Sequence, residues 1–231
     1  MAAGPAKLNA FPVFMRVEAR RVVIVGGGEE ALAKARLMAQ SSAELIVVSA
    51  APEPALIEWA TANSVELIQE PYGKAFLEGA ALVFAATGEE EADRAVVDDA
   101  RSLSIPVNAV DRPELCDFFT PALVNRAPVA VAVGTEGAGP VLAQIIRAQI
   151  DRLLSPSLGR LAVLAASYRE AVERRVPKGA PRRHFWKAFF GGTPARAVAT
   201  GDIRRAALAA ERLLQNPAAG QGHVALVGAG P

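Results

Sequence analysis

The segment VNAVDRPELCDFFTPALVNR, residues 107–126, holds the groups best placed to do chemistry: Asn108, Asp111 and Arg112. They follow a short apolar run beginning near Pro106 that reads as a strand, and open α/β sheets collect reactive groups beyond the carboxyl ends of their strands. A carboxylate set beside Val110, Leu115, Phe118 and Phe119 can have its pKa raised toward neutrality by desolvation and then serve as a general base. The alternative is that Asp111 only initiates a turn ahead of Pro113, and spacing leaves both open. No Ser/His/Asp or Cys/His arrangement suited to nucleophilic catalysis accompanies it, which directs attention to redox chemistry or proton transfer.

A second chemical signal is VVIVGGGEEALAKARLM, residues 22–38. Gly26, Gly28 and Ala31 fit GxGxxA between a strand and a helix: the first glycine for a tight turn, the second for backbone approach to a pyrophosphate, the small third residue for helix-on-strand packing. The helix start adds partial positive charge for phosphates, while Glu29 and Glu30 read either as favourable first-turn charges or as unwelcome neighbours of a phosphate. The fingerprint also expects an acid about 20 residues on, at the end of the second strand, for the adenosine ribose. That strand ends in Val47, Val48, Ser49, Ala50 and Ala51. Ribose binding would therefore use Ser49 or the backbone of Ala50 and Ala51, and NAD against NADP stays open. Ala86 and Thr87, in VFAATGEEEADRA, are small enough to pass a nicotinamide ribose; an ordinary connection with Thr87 near a helix cap is the alternative.

The elements that must position these groups alternate. Strands are predicted over 22–25, 44–48, 65–69, 81–86 and 106–110, with helices over 31–40, 54–63 and 89–103. Alternation of this kind predicts an α/β, Rossmann-like doubly wound parallel sheet. After it the pattern changes to a lone strand over 129–134 and a long helix over 141–154, introduced by Gly137, Gly139 and Pro140. A strand and helix without a further partner suggest completion by a second copy, hence a homodimer. Residues 157–216 read as helical, broken at 177–181 and 191–194. The expected organisation is a nucleotide-binding domain over 1–118, a small strand-helix dimerisation region over 119–154, a helical domain over 155–222, and the start of another α/β domain at 223–231.

Composition bounds the partners. With 25 Lys plus Arg against 24 Asp plus Glu, the chain has no global field to recruit nucleic acid or an anionic membrane. No stretch reaches the roughly 18 uninterrupted apolar residues that a membrane helix needs. Cys116 is the one cysteine, which excludes an internal disulfide and a Cys-based zinc site, fits a reducing cytoplasm, and reads as a small buried hydrophobe. His184 and His223 stand 39 positions apart, so no protein metal site is expected and any metal would be a substrate.

Taken together, these segments resemble one family. GGGEEALAKARLM is similar to the opening of the siroheme synthase N-terminal module, the precorrin-2 dehydrogenase and sirohydrochlorin ferrochelatase. FPVFMRVEARRVVIVGGG resembles its lead-in, AATGEEEADRAV its second nucleotide stretch, and PVNAVDRPELCDFFTPALVNRAPVAVAVGTEGAGPVLAQIIRAQI its signature around a catalytic aspartate. The resemblance implies that NAD accepts hydride from precorrin-2 to give sirohydrochlorin, and that Fe²⁺, as substrate, is then inserted to give siroheme. It implies a catalytic role for Asp111, and cofactor contacts at Glu29, Glu30, Ala50 and Ala51, with Asn108 beside them. Thr135 falls where some members carry a phosphorylatable serine; Arg126, Thr135 and Gly137 are the substrate-side candidates. A polycarboxylate tetrapyrrole calls for local cations, for which Arg126, Arg174, Arg175, Lys178, Arg182 and Arg183 qualify, although the later run also reads as a solvated helix end. HVALVGAGP, residues 223–231, resembles the opening of a uroporphyrinogen III methyltransferase module. Departures from the family are Glu30 for Val, Gly88 for Asp, Asp93 for Asn and Gly139 for Ser. A dehydrogenase without chelatase activity, or a non-catalytic NAD- or tetrapyrrole-binding protein, are the competing readings.

Overall fold

The computed structural model describes residues 7–216, so the expectations for 223–231, His223 included, lie outside the described residues. The chain divides into two compact units. Within the described residues the first comprises 7–121 and 134–143, the second 122–133 and 144–216.

The first unit is built from β1 (Arg21–Val25), α1 (Glu29–Met38), β2 (Glu44–Val48), α2 (Pro54–Ala62), β3 (Glu66–Ile68), β4 (Leu82–Ala85), α3 (Glu90–Ser102) and β5 (Val107–Ala109). The strands pair in the order β3-β2-β1-β4-β5, all parallel, with Ile24 opposite both Val47 and Phe84. Successive residues serve opposite faces, because side chains alternate along a strand. Val23, Val25, Ile46, Val48 and Val83 pack with Val96, Val97 and Ala100 of α3, whereas Val22, Ile24, Leu45, Val47 and Phe84 pack with Ala31, Leu32 and Ala35 of α1 and Leu56 of α2. Both faces being covered explains why β1 and β2 read as continuous apolar runs. The predicted doubly wound sheet is thus present, and α1 starts at Glu29, two residues before the expected Ala31.

The second unit holds β6 (Ala122–Arg126) and β7 (Val129–Val133), then the helices α5 (Leu158–Arg175), α6 (Ala180–Gly191), α7 (Thr193–Ala199) and α8 (Ile203–Gln215). Between them runs α4 (Pro140–Leu153), and the division of the chain falls within it, after Ala143. The stretch 119–154, expected as one region, is therefore shared between units. The expected lone strand is corrected too: β7 pairs antiparallel with β6 of its own chain, Val131 opposite Val124. The physical reason is that Ala122–Arg126 and Val129–Val133 are separated by two residues, the length of a tight hairpin connection. The helical core forms around Phe185 and Phe189, with Leu161, Val172, Val198 and Leu214. A third break, missed in the sequence, separates α7 from α8, where the Asp202 carboxylate accepts from the Arg205 amide at 2.9 Å as an N-cap. Among the described residues no helix is long and apolar enough to cross a membrane.

Candidate functional site

The sheet order reverses between β1 and β4, and the crevice outside the carboxyl ends of these strands is where an open α/β fold binds ligands. At the end of β1 the Gly26 amide donates to Val48 O at 3.0 Å, and the Ala86 amide donates to Val25 O at 2.8 Å. Gly26 adopts φ +147°, and a methyl group placed on it would lie 1.9 Å from Ala86 O. The turn therefore threads between β2 and β4 with no room for a side chain. The first helical bond of α1 runs from the Leu32 amide to Gly28 O, and no side chain caps this end. The amides of Glu29, Glu30 and Ala31 precede that bond, so they are left directed at whatever occupies the crevice. Glu29 is exposed. Glu30 is half-buried, with Oε2 enclosed and without a hydrogen-bond partner.

Ser49, after β2, comes up against the same turn: its Oγ lies 2.3 Å from the position a Gly27 methyl would take, and Ala51 O lies 2.9 Å from it. Ala86 and Thr87 follow β4, and Thr87 is held by a residue the sequence reading did not assign to the site. The Asp93 carboxylate, on α3 and completely buried, accepts from the Thr87 amide at 3.0 Å and its hydroxyl at 2.7 Å, and its other oxygen pairs with Arg112. Asp93 thereby ties the end of β4 to the loop after β5. Its signal was in the sequence: Asp93 stands at i to Val96, Val97 and Ala100 at i+3, i+4 and i+7, which places an acid on the buried stripe of an amphipathic helix.

The loop after β5 carries Asp111. Asp111 is exposed and left-handed, φ +58°, a region uncommon for a residue with a Cβ and one that persists only where the surroundings enforce it. The enforcement is visible on both sides. Arg112 is anchored by Asp93 and donates to Val110 O at 3.3 Å. Asn108, 5 % exposed, donates from Nδ2 to Phe118 O at 2.8 Å and to Cys116 Sγ at 3.2 Å, while its Oδ1 is buried without a partner. The Cys116 thiol donates to Ala109 O at 3.1 Å; it is half-buried, and burial pushes its pKa up. The apolar wall expected around Asp111 is not assembled there. Val110 and Leu115 are buried in the two opposite cores of the sheet, Phe118 packs on Phe84, and Phe119 is exposed.

Lys34, on α1, is a second residue that the sequence reading left out. Its Nζ donates to Thr120 Oγ1 at 3.4 Å. Burial lowers its pKa below the usual lysine value, opposed by the charges of Asp111, Cys116 and Glu30. These four groups thus share one electrostatic neighbourhood at the carboxyl edge of the sheet. The i,i+4 pair Glu30 and Lys34 was the available signal.

The substrate-side candidates separate. Thr135 and Gly137 belong to the first unit and Arg126 to the second. The Arg126 guanidinium pairs with Asp151 at 2.9 Å and donates to Asp151 O at 3.1 Å and Leu154 O at 3.3 Å, as a cation closing the carboxyl end of α4 does. Beside Thr135 and Gly137, the Glu136 carboxylate accepts from the amides of Asn9 and Ala10 at 2.7 and 2.8 Å and from Asn9 Nδ2 at 3.1 Å. The Ala10 amide, then the Asn9 side chain, holds its pKa below the usual carboxylate range. A depressed folded pKa means this tether is complete above the ordinary carboxylate range and is lost as pH falls through the lowered value. NMR titration is expected to move the Asn9 and Ala10 amide resonances with that lowered midpoint, and Glu136→Gln to abolish the step; a midpoint at or above the ordinary glutamate value would refute the tether.

Known proteins resemble this chain in sequence and in fold. An NAD(P)-binding family model matches residues 13–122, and the siroheme synthase dimerisation region matches 157–214. Siroheme synthases of Methylobacillus flagellatus, Stutzerimonas stutzeri and Chromobacterium violaceum are 39 %, 41 % and 41 % identical to it, in each case over 97 % of this chain. The chain matches the N-terminal module of the siroheme synthases. It spans about half the length of these relatives, 48 % in each, and corresponds to their N-terminal part. The solved structure of SirC, precorrin-2 dehydrogenase, superposes with a TM-score of 0.74 over 89 % of this chain and 99 % of that one, at 16 % identity, which shows a shared fold. Within the siroheme synthase match, the dimerisation region comprises α5 to α8 and lies after the 119–154 stretch from which a dimer was expected.

Proposed function

We propose that this chain oxidises precorrin-2 to sirohydrochlorin with NAD as hydride acceptor, and then promotes Fe²⁺ insertion into the product to give siroheme, acting as a homodimer in the cytoplasm. The observation that carries the reading is the placement of the Gly26–Ala31 turn and the clamped, left-handed Asp111 at one edge of one sheet. The turn fits a dinucleotide. Gly26 has no space for a side chain, Gly28 leaves its backbone approachable, and the amides of Glu29, Glu30 and Ala31 supply donors for a pyrophosphate. Ser49, Ala50 and Ala51 line the adenosine side, and Ala86, Thr87 and Asn108 the nicotinamide side.

When bound, NAD supplies the two-electron acceptor for hydride leaving a macrocycle carbon. Asp111 takes the accompanying proton, so precorrin-2 and NAD⁺ give sirohydrochlorin, NADH and a proton. Its exposure lets a large, polyanionic substrate reach the carboxylate. Lys34 limits the repulsion between Asp111 and substrate carboxylates. The same carboxylate receives the pyrrole protons that Fe²⁺ displaces. Thr135 and Gly137 are assigned to the substrate side, and the dimer is assigned to the region matched at 157–214.

Asp111→Asn is expected to lower NADH formation from precorrin-2 about 10²-fold or more, with NAD affinity unchanged, since the amide keeps shape but accepts no proton. Absorbance at the NADH band, followed by addition of Fe²⁺ to sirohydrochlorin in the same cuvette, reads both steps. Undiminished turnover in Asp111→Asn would remove the aspartate from the oxidation, and metallation no faster than without protein would remove chelation.

A further inference from the structure

The end of β2 carries no acid, yet a carboxylate reaches the glycine turn from the next element. Glu53 immediately precedes α2, and its amide donates to Gly27 O at 2.9 Å, which pins its backbone to the turn. The side chain lies back over the same turn: a methyl group on Gly28 would sit 3.3 Å from Glu53 Oε1. Ser49 Oγ meets the neighbouring Gly27 in the same way, at 2.3 Å. The two side chains therefore meet the turn from beyond β2, where the adenosine end of a dinucleotide lies in folds of this kind.

Within the described residues nothing uses this carboxylate. It is exposed, accepts no hydrogen bond and forms no ion pair. A ribose diol brings two O–H donors to a carboxylate that has two free oxygens, whereas a 2′-phosphate brings negative charge to it. We propose that Glu53 is the acceptor for the adenosine ribose hydroxyls and makes the site select a dinucleotide with a free 2′-hydroxyl over its 2′-phosphorylated counterpart. The inference rests on the nucleotide reading of the glycine turn and names the specificity residue that the strand end lacks.

Calorimetric titration of the full chain with NAD and with NADP tests it without any turnover. Wild type is expected to bind NAD about tenfold or more tighter than NADP, a hydrogen-bonded charge being worth at least that factor. Glu53→Gln is expected to weaken NAD about tenfold and to leave NADP unchanged or tighter, so that the preference collapses. Glu58→Gln, which removes an exposed charge from the same helix, keeps the wild-type ratio and separates a contact from a general field. A Glu53→Gln protein with the wild-type ratio, or a wild type that prefers NADP, overturns the inference while the nucleotide reading stands. Binding of neither nucleotide to wild type overturns both.

Discussion

Arg112→Met is expected to destabilise the parallel-sheet unit by about 3–5 kcal/mol, because it strands a charge that has no access to water. Asp93 is 0 % exposed, while the Arg112 side chain keeps 20 % of its surface in solvent. The Thr87 amide and hydroxyl would remain as donors to Asp93, and two neutral hydrogen bonds do not replace a cation. Against the roughly 5–15 kcal/mol by which domains are stable, such a loss leaves little margin. Asp93→Ala is expected to cost less, since the exposed part of Arg112 keeps its hydration. The double variant Asp93→Asn with Arg112→Met removes both charges, leaves Thr87 an acceptor, and recovers most of the difference. Urea denaturation of the three proteins measures this; a loss below about 1 kcal/mol in Arg112→Met would mean that the pair contributes no more than a surface ion pair.

Gly26→Ala carries the second large effect. A methyl group 1.9 Å from Ala86 O and 2.4 Å from Ala86 C meets backbone on β4, not the movable end of a side chain. The φ of +147° excludes it independently. Relief requires β1 and β4 to part at their carboxyl ends, and the expected loss is about 3 kcal/mol or more, with nucleotide affinity falling alongside. Gly28→Ala provides the contrast. Its methyl group would meet only Glu53 Oε1 at 3.3 Å, and φ −97° is open to alanine. Less than about 1 kcal/mol of stability should be lost at this N-cap position, whereas dinucleotide binding should fall strongly on the proposed reading, in which a pyrophosphate approaches this backbone. Equal denaturation midpoints for Gly26→Ala and wild type would contradict the close approach.

Much of this architecture is legible in the sequence. The alternation of apolar runs and Ala-rich helices gave the strand and helix order because β1, β2, β4 and β5 are buried on both faces, and the glycine spacing located the β1 turn. What escaped was set by tertiary context. The β6–β7 hairpin went unseen because ALVNR was read as the tail of a chemical segment and not as five residues opposite VAVAV. The environment of Asp111 was misjudged because proximity in sequence to Val110 and Leu115 says nothing about direction, and a left-handed turn sends those side chains into separate cores. Glu53 lies beyond the strand end where the fingerprint looks for its acid, and only the return of the chain from β2 into α2 brings it to Gly28. Asp93 could have been found from helical periodicity, and Lys34 from its i,i+4 spacing to Glu30.

The central place of β1 in the sheet has a kinetic consequence. Its two neighbours, β2 and β4, are made after it, and Val25 must wait for Ala85 to emerge before its second edge is covered. Such non-local parallel pairing is slow, since chain entropy is lost before the contacts that compensate it are made. Until Leu82–Ala85 is made, RVVIV therefore has no β4 along its second edge. An unpaired apolar edge of that kind is open to aggregation for as long as it lasts.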